Sequence, residues 1–232
     1  MSSNPGHAVV TGSSSGIGRA IAEMLLAAGW QVSGLDVVPA CIAQAGFTAV
    51  PLDLTRGDDI ARVAAQLPAV DALVHAAGVL RVGPLGSLDH AGGALMWALH
   101  VDAATRLADA IVPAMAARGR GRVVLIGSRV AQGMPGRGQY AATKAALVAL
   151  ARSWAAEVAA QGVTVNVISP AATATGMLQD PARAGSAPRL PPLGRLIEPA
   201  EIAALVAYLL SPVAAAITGQ DIAMCGGSSL PK

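Results

Sequence analysis

Residues 8–18 read Ala8-Val9-Val10-Thr11-Gly12-Ser13-Ser14-Ser15-Gly16-Ile17-Gly18. A short apolar run predicts a strand, the Ala- and Leu-rich stretch over 16–28 predicts a helix, and a glycine-rich turn joins them. Glycine lets a backbone turn tightly and approach a ligand closely. The first turn of the following helix presents free N–H groups and a positive dipole end to an anion. A glycine pattern alone says little; between a strand and a helix it points to a bound pyrophosphate. Gly12, Ser14, Ser15, Gly16, Ile17 and Gly18 are the candidate contacts.

The same alternation continues outward. Strands are predicted over 8–10, 31–35, 48–52, 72–75, 122–126, 164–168 and 221–224. Helices are predicted over 16–28, 58–66, 93–118, 139–161 and 199–210. Strands alternating with helices imply an α/β fold with a parallel sheet covered on both faces. Runs such as Val123-Val124-Leu125-Ile126 fit strands buried on both sides. No repeat or linker divides residues 1–232, which are read as a single domain. The irregular stretch is 179–192, with four prolines, and a short cover over the substrate is placed at about 177–195.

Further ligand contacts are expected where strands end. Asp36 closes the second strand and is followed by Val37, not by a cation. Its carboxylate suits the hydroxyls of an adenosine ribose and repels a 2′-phosphate, so NAD is favoured over NADP. Asp53, beside Leu54, either contacts adenine or caps the next helix. His75-Ala76-Ala77-Gly78 follows the fourth strand, where small residues let the chain pass close to a ligand.

Tyr140-Ala141-Ala142-Thr143-Lys144 supplies the chemistry. On a helix, residues four apart share a face. An ammonium beside a phenol favours phenolate, giving an acid/base that works nearer neutral pH than an ordinary tyrosine. Ser128, twelve positions earlier, offers a hydroxyl to hold a substrate oxygen.

Composition removes other classes. The net charge is +2 and no basic run is present, which argues against nucleic acid. Aromatic residues make up 3%, too few for a stacking platform. Cys41 and Cys225 lack the spacing of a disulfide framework or metal site, so no metal is expected. No apolar run reaches the roughly 18 residues of a membrane span, and the polar start lacks a signal-peptide layout. A cytoplasmic enzyme is the expectation.

Taken in order, these motifs resemble the short-chain dehydrogenase/reductase family over nearly the whole chain. Thr11–Gly18 is similar to its TGxxxGxG turn, His75–Gly78 to its NNAG, and Tyr140–Lys144 to its YxxxK. Asn166-Val167-Ile168-Ser169-Pro170 matches the strand before its PG turn, and residues 217–227 match its closing strand. The resemblance implies a single-domain, Rossmann-like, doubly wound parallel sheet flanked by helices. It also implies NAD(P) binding and reversible oxidation of an alcohol to a carbonyl. Tyr140 would be the acid/base, Lys144 its partner and a nicotinamide-ribose contact, and Ser128 the orienting hydroxyl. Ala76, Ala77, Gly78, Pro170, Thr173 and Thr175 would join the cofactor contacts, and the long helices would build a homotetramer or homodimer.

Several positions depart from that pattern. His100 stands where the family carries an asparagine, either holding a water of the proton relay or replacing the amide in packing. His75 and Ala76 replace two asparagines, the Ser128–Tyr140 spacing is one residue short, and the PG turn reads Pro170-Ala171. A weaker similarity, around Ala76–Gly83 and 226–230, is to 2,3-dihydro-2,3-dihydroxybenzoate dehydrogenases. There Arg81 would bind a substrate carboxylate; otherwise it is a solvated loop arginine. The expected function is NAD-dependent interconversion of a small secondary alcohol, cyclic or aryl, and its ketone. The alternatives are a 3-oxoacyl-thioester reductase, a group that mostly uses NADPH, and a non-catalytic NAD sensor.

Overall fold

A computed structural model of the chain describes residues 6–180 and 189–230. The strands are β1 (His7–Thr11), β2 (Gln31–Asp36), β3 (Phe47–Pro51), β4 (Ala72–His75), β5 (Gly121–Ile126), β6 (Val163–Pro170) and β7 (Asp221–Met224). They form one sheet in the order β3-β2-β1-β4-β5-β6-β7, and every pairing is parallel. Helices α1 (Gly16–Ala27), α2 (Gly57–Ala64), α3 (His90–Trp97), α4 (Ala103–Ala117), α5 (Gly138–Val158) and α6 (Pro199–Leu210) provide the crossovers.

The inner strands feed two cores because successive side chains point to opposite faces. Val9, Leu73, Val123, Leu125 and Val165 pack on one face with side chains of α2, α4 and α5. Ala8, Val10, Val74, Val124 and Ile126 pack on the other with α1 and α6. That two-sided burial is why β1, β4 and β5 read as largely apolar runs. The order of the chain reverses between β1 and β4, so a crevice opens at their carboxyl ends.

The predicted helix over 93–118 is interrupted. Between α3 and α4, Ala98–Asp102 form a π turn. The Ala103 N–H reaches Ala98 O, one residue further back than in an α-helix, and the Leu99 carbonyl is left without that helical donor. His75 Nε2 fills the place, 3.0 Å from Leu99 O. Two arginines just after α4 have partners: Arg118 donates to Val70 O, and the exposed Arg120 lies 3.4 Å from Asp71.

Candidate active site

The glycine-rich turn takes the shape an anion requires. Gly12 has φ +68° and Gly16 φ +52°, in the left-handed region that glycine tolerates. A Cβ on Gly18 would lie 2.2 Å from Gly12 O, and one on Gly12 would lie 2.9 Å from Ala77 Cα. Turn, helix and β4 loop therefore touch through backbone. Ser15 is the N-cap of α1, yet its side chain makes no capping bond and the first turn carries no acidic residue. The N–H groups at this helix start thus have no side-chain anion of their own, and they border the cavity described below. These observations fit a nucleotide pyrophosphate.

Asp36 braces the same turn. Its Oδ2 accepts from Ser14 N at 2.9 Å and its Oδ1 from Val38 N at 3.0 Å. A carboxylate has about four lone-pair positions, so capacity remains for ribose hydroxyls. Asp53 Oδ1 accepts from both the N–H and the hydroxyl of Thr55, and those bonds hold its carboxyl below the usual range. The Leu54 side chain is packed in the core and offers a ligand only its main chain.

A cavity of about 1170 Å³ occupies the crevice. Gly12, Ser15, Gly16, Ile17 and Gly18 border it at one end; Ala76, Ala77, Gly78, Pro170, Thr173 and Thr175 border its walls. Ser128, Tyr140, Lys144 and His100 share it. Ser14, Asp36, Asp53 and Leu54 do not line it. The predicted cover falls partly on 181–188, outside the described residues. Its flanks reach the cavity through Met177, Leu178, Arg189, Leu190 and Pro192.

Within the cavity the polar groups are set by buried bonds. Lys144 Nζ donates to Ile126 O at 2.8 Å and lies 5.8 Å from the Tyr140 ring centre. Burial pushes the ammonium down to about 7. Ser128 Oγ accepts from Val130 N at 3.2 Å, leaving its hydrogen for another acceptor. Between Ser128 and Tyr140 the chain runs through a 3-10 turn over Arg129–Gln132 and glycines with positive φ at 133 and 136, and both residues border the cavity.

His75 is held by bonds at both ring nitrogens. Thr11 Oγ1 accepts the N–H groups of Ala76 and Ala77, each at 3.0 Å, and lies 3.0 Å from His75 Nδ1. Because Nε2 faces a carbonyl, it carries the ring hydrogen and Nδ1 accepts from Thr11. Burial, then the charge of Lys144, lowers the His75 pKa to about 3. Arg81 is paired: Nη1 lies 3.0 Å from Asp180 Oδ2 and also donates to Leu80 O. The carboxylate role expected from the dihydrodiol subgroup meets a guanidinium already engaged.

Thr11 and Thr143 received no role from sequence. Their signal was present, since both stand inside quoted motifs and both hydroxyls are buried.

The family model described as "Enoyl-(Acyl carrier protein) reductase" matches residues 12–229. A solved structure titled "short chain dehydrogenase/reductase family protein" superposes with a TM-score of 0.85 at 37% identity, covering 95% of this chain and 96% of that one. The chain belongs to the short-chain dehydrogenase/reductase family. Among its relatives, the 3-oxoacyl-[acyl-carrier-protein] reductase of Escherichia coli strain K12 is 37% identical, covering 95% of this chain and 96% of the relative. The counterpart from Vibrio cholerae is 35% identical with the same coverage. The 2,3-dihydro-2,3-dihydroxybenzoate dehydrogenase of E. coli K12 is also 35% identical with the same coverage. As a short-chain dehydrogenase/reductase, the protein is an oxidoreductase that interconverts an alcohol and a carbonyl with a nicotinamide cofactor. Among the described residues, no helix is long and apolar enough to cross a membrane.

Proposed function

We propose that this chain is a 3-oxoacyl-thioester reductase. The observation that carries the reading is full-length similarity, at 35% and 37% identity, to two reductases named for that reaction. The similarity therefore favours this reading over the small-alcohol dehydrogenase expected from the residues. The cavity suits it: Arg129, Arg137 and Arg189 border it, and cations there match the phosphate of a pantetheine arm.

In this reading Tyr140 gives a proton to the carbonyl oxygen, or takes one back in the reverse direction. Lys144 supports that transfer by its charge and Ser128 donates to the same oxygen. The nicotinamide cofactor supplies the hydride. The turn residues Gly12 to Gly18, with Ala76 to Gly78, Pro170, Thr173 and Thr175, hold it. Asp36 favours NAD(H), because no cation follows it and a 2′-phosphate would meet its carboxylate. Asp53 and Leu54 would stand at the adenine end, Leu54 through its main chain. The family resemblance adds a homodimer or homotetramer through α4 and α5, which light scattering reads directly.

A second reading is an NAD-dependent dehydrogenase of a small cyclic or aryl alcohol. Asp36 and the dihydrodiol dehydrogenase relative favour it. The deciding experiment compares initial rates on acetoacetyl-CoA and a 3-oxoacyl carrier-protein thioester, with NADH or NADPH, against oxidation of cyclic diols with NAD⁺. Thioester reduction as the fastest reaction is expected. Faster diol oxidation would overturn it, and tight NADH binding without any turnover would return the sensor reading.

A further inference from the structure

His100 is wholly buried in the π turn. Its Nε2 lies 3.2 Å from Val79 N, and its Nδ1 lies 2.8 Å from Thr143 Oγ1. The Thr143 hydroxyl is in turn 2.8 Å from Tyr140 O. A carbonyl only accepts, so Thr143 gives its hydrogen to Tyr140 O. Thr143 must then accept from Nδ1, which carries the ring hydrogen. Val79 offers an N–H, so Nε2 is bare. The three bonds leave one tautomer and occupy both ring nitrogens. The imidazole also meets the Tyr140 ring edge to face, with centres 5.6 Å apart and planes at 85°.

A proton carrier must exchange its hydrogen with a mobile partner, and this ring has no vacant nitrogen. Burial and the charge of Lys144 also keep it neutral. We propose that His100 and Thr143 are a positioning couple that tethers Tyr140 to the β4 loop and fixes the phenol beside Lys144, and that His100 carries no proton in the reaction. The inference rests on Tyr140 being the acid/base of the proposed function. It adds two positioning residues, Thr143 acting on the Tyr140 main chain and His100 acting through Thr143 and the ring contact.

The test compares His100→Ala, His100→Asn, Thr143→Val, Thr143→Ser and the double variant His100→Ala/Thr143→Val, with Tyr140→Phe as reference. Two quantities are read: kcat and KM for acetoacetyl-CoA and NADH, and the ionisation of Tyr140 by phenolate absorbance. The chain has two tyrosines, so subtracting the Tyr140→Phe titration isolates the signal. The expected result is a kcat loss of about 10- to 100-fold for His100→Ala and Thr143→Val. NADH KM should be little changed, and the Tyr140 midpoint should move up as the phenol drifts from Lys144. His100→Asn and Thr143→Ser should recover most of the loss, and the double variant should be no worse than either single one.

The proposal is overturned if His100→Asn is as impaired as His100→Ala while Thr143→Val works normally, which is the pattern of a proton carrier. It is equally overturned if neither residue moves the Tyr140 midpoint or kcat. Turnover by Tyr140→Phe is a separate outcome that defeats the acid/base assignment itself. Should His100→Ala fail to fold, the near-isosteric Thr143→Val and Thr143→Ser pair decides the matter through the same two readouts.

Discussion

The Thr11 hydroxyl sits 3.0 Å from His75 Nδ1, joining the carboxyl ends of the two central strands where the chain order reverses. His75 must be neutral for this bond, since Nδ1 accepts. Its pKa falls from 6.5 to about 3 in the fold. A depressed folded value means the unfolded chain binds the proton more readily. The stability is complete above about pH 6.5 and is lost as pH falls toward 3. The slope is about 1.4 kcal/mol per pH unit from this residue, and His100 acts in the same direction. Urea unfolding across that window should show the slope, and His75→Asn should flatten it. An unchanged slope in the variant would mean that His75 is not the group taking up the proton.

Gly18→Ala should weaken cofactor binding. The added Cβ would press to 2.2 Å from Gly12 O, and backbone on both sides cannot give way cheaply. Opening the turn spoils the N–H cradle at the start of α1. NADH fluorescence titration should show affinity at least about 10-fold weaker, a loss of one charge-assisted bond or more. Wild-type affinity would show that the turn is not the pyrophosphate site.

Replacing Asp36 by serine together with Val37→Arg should shift preference toward NADPH. The change removes a carboxylate from the 2′-phosphate and adds a fork that binds phosphate. A shift of about 10- to 100-fold in the ratio of kcat/KM values is expected, from roughly 1.5–3 kcal/mol for a hydrogen bond to a charged group. Because Ser14 N and Val38 N lose their acceptor, thermal stability should fall as well. A fixed ratio would move the discrimination to other residues.

Lys144→Arg should not restore what Lys144→Met loses. The Nζ group reaches Ile126 O at 2.8 Å in a fully buried position. Its pKa of about 7 shows how strongly burial opposes the charge. A guanidinium is larger and keeps its charge, so it meets the desolvation without the escape that lysine has. Both variants should lose about 100-fold or more in kcat for reduction, and in Lys144→Met the basic limb of the pH–rate profile, where the proton-donating phenol ionises, should move up toward that of a free phenol. Near-normal turnover in Lys144→Arg would show that any buried cation suffices.

All seven strands were legible in the sequence, the inner ones such as β4 and β5 because parallel strands buried on both faces leave apolar runs, and the part-exposed edge strands β3 and β7 from the alternation of short runs with helices. Gly12, Gly16 and Gly18 were legible because their motif has a mechanical reason, a turn with no room for Cβ. The interruption at Ala98–Asp102 was not. Apolar spacing cannot show a carbonyl leaving its helix for His75, which lies 24 positions away. The His100–Thr143 bond likewise joins residues 43 positions apart, so sequence left open whether His100 held water or packed. Asp53 stayed ambiguous for a different reason: a carboxylate before a helix reads alike whether it serves a ligand or Thr55.

The π turn leaves the chain intolerant of small changes in length. An α-helix gains about 100° of rotation per residue. Deleting one residue between Trp97 and Ala103 would restore regular winding, return Leu99 O to a helical N–H, and strip His75 of its acceptor. It would also swing His100 away from Thr143 and turn the apolar side of α3 relative to that of α4. Side-chain substitutions there are local edits, but a single-codon deletion is a frame error in three dimensions, felt at both histidines at once.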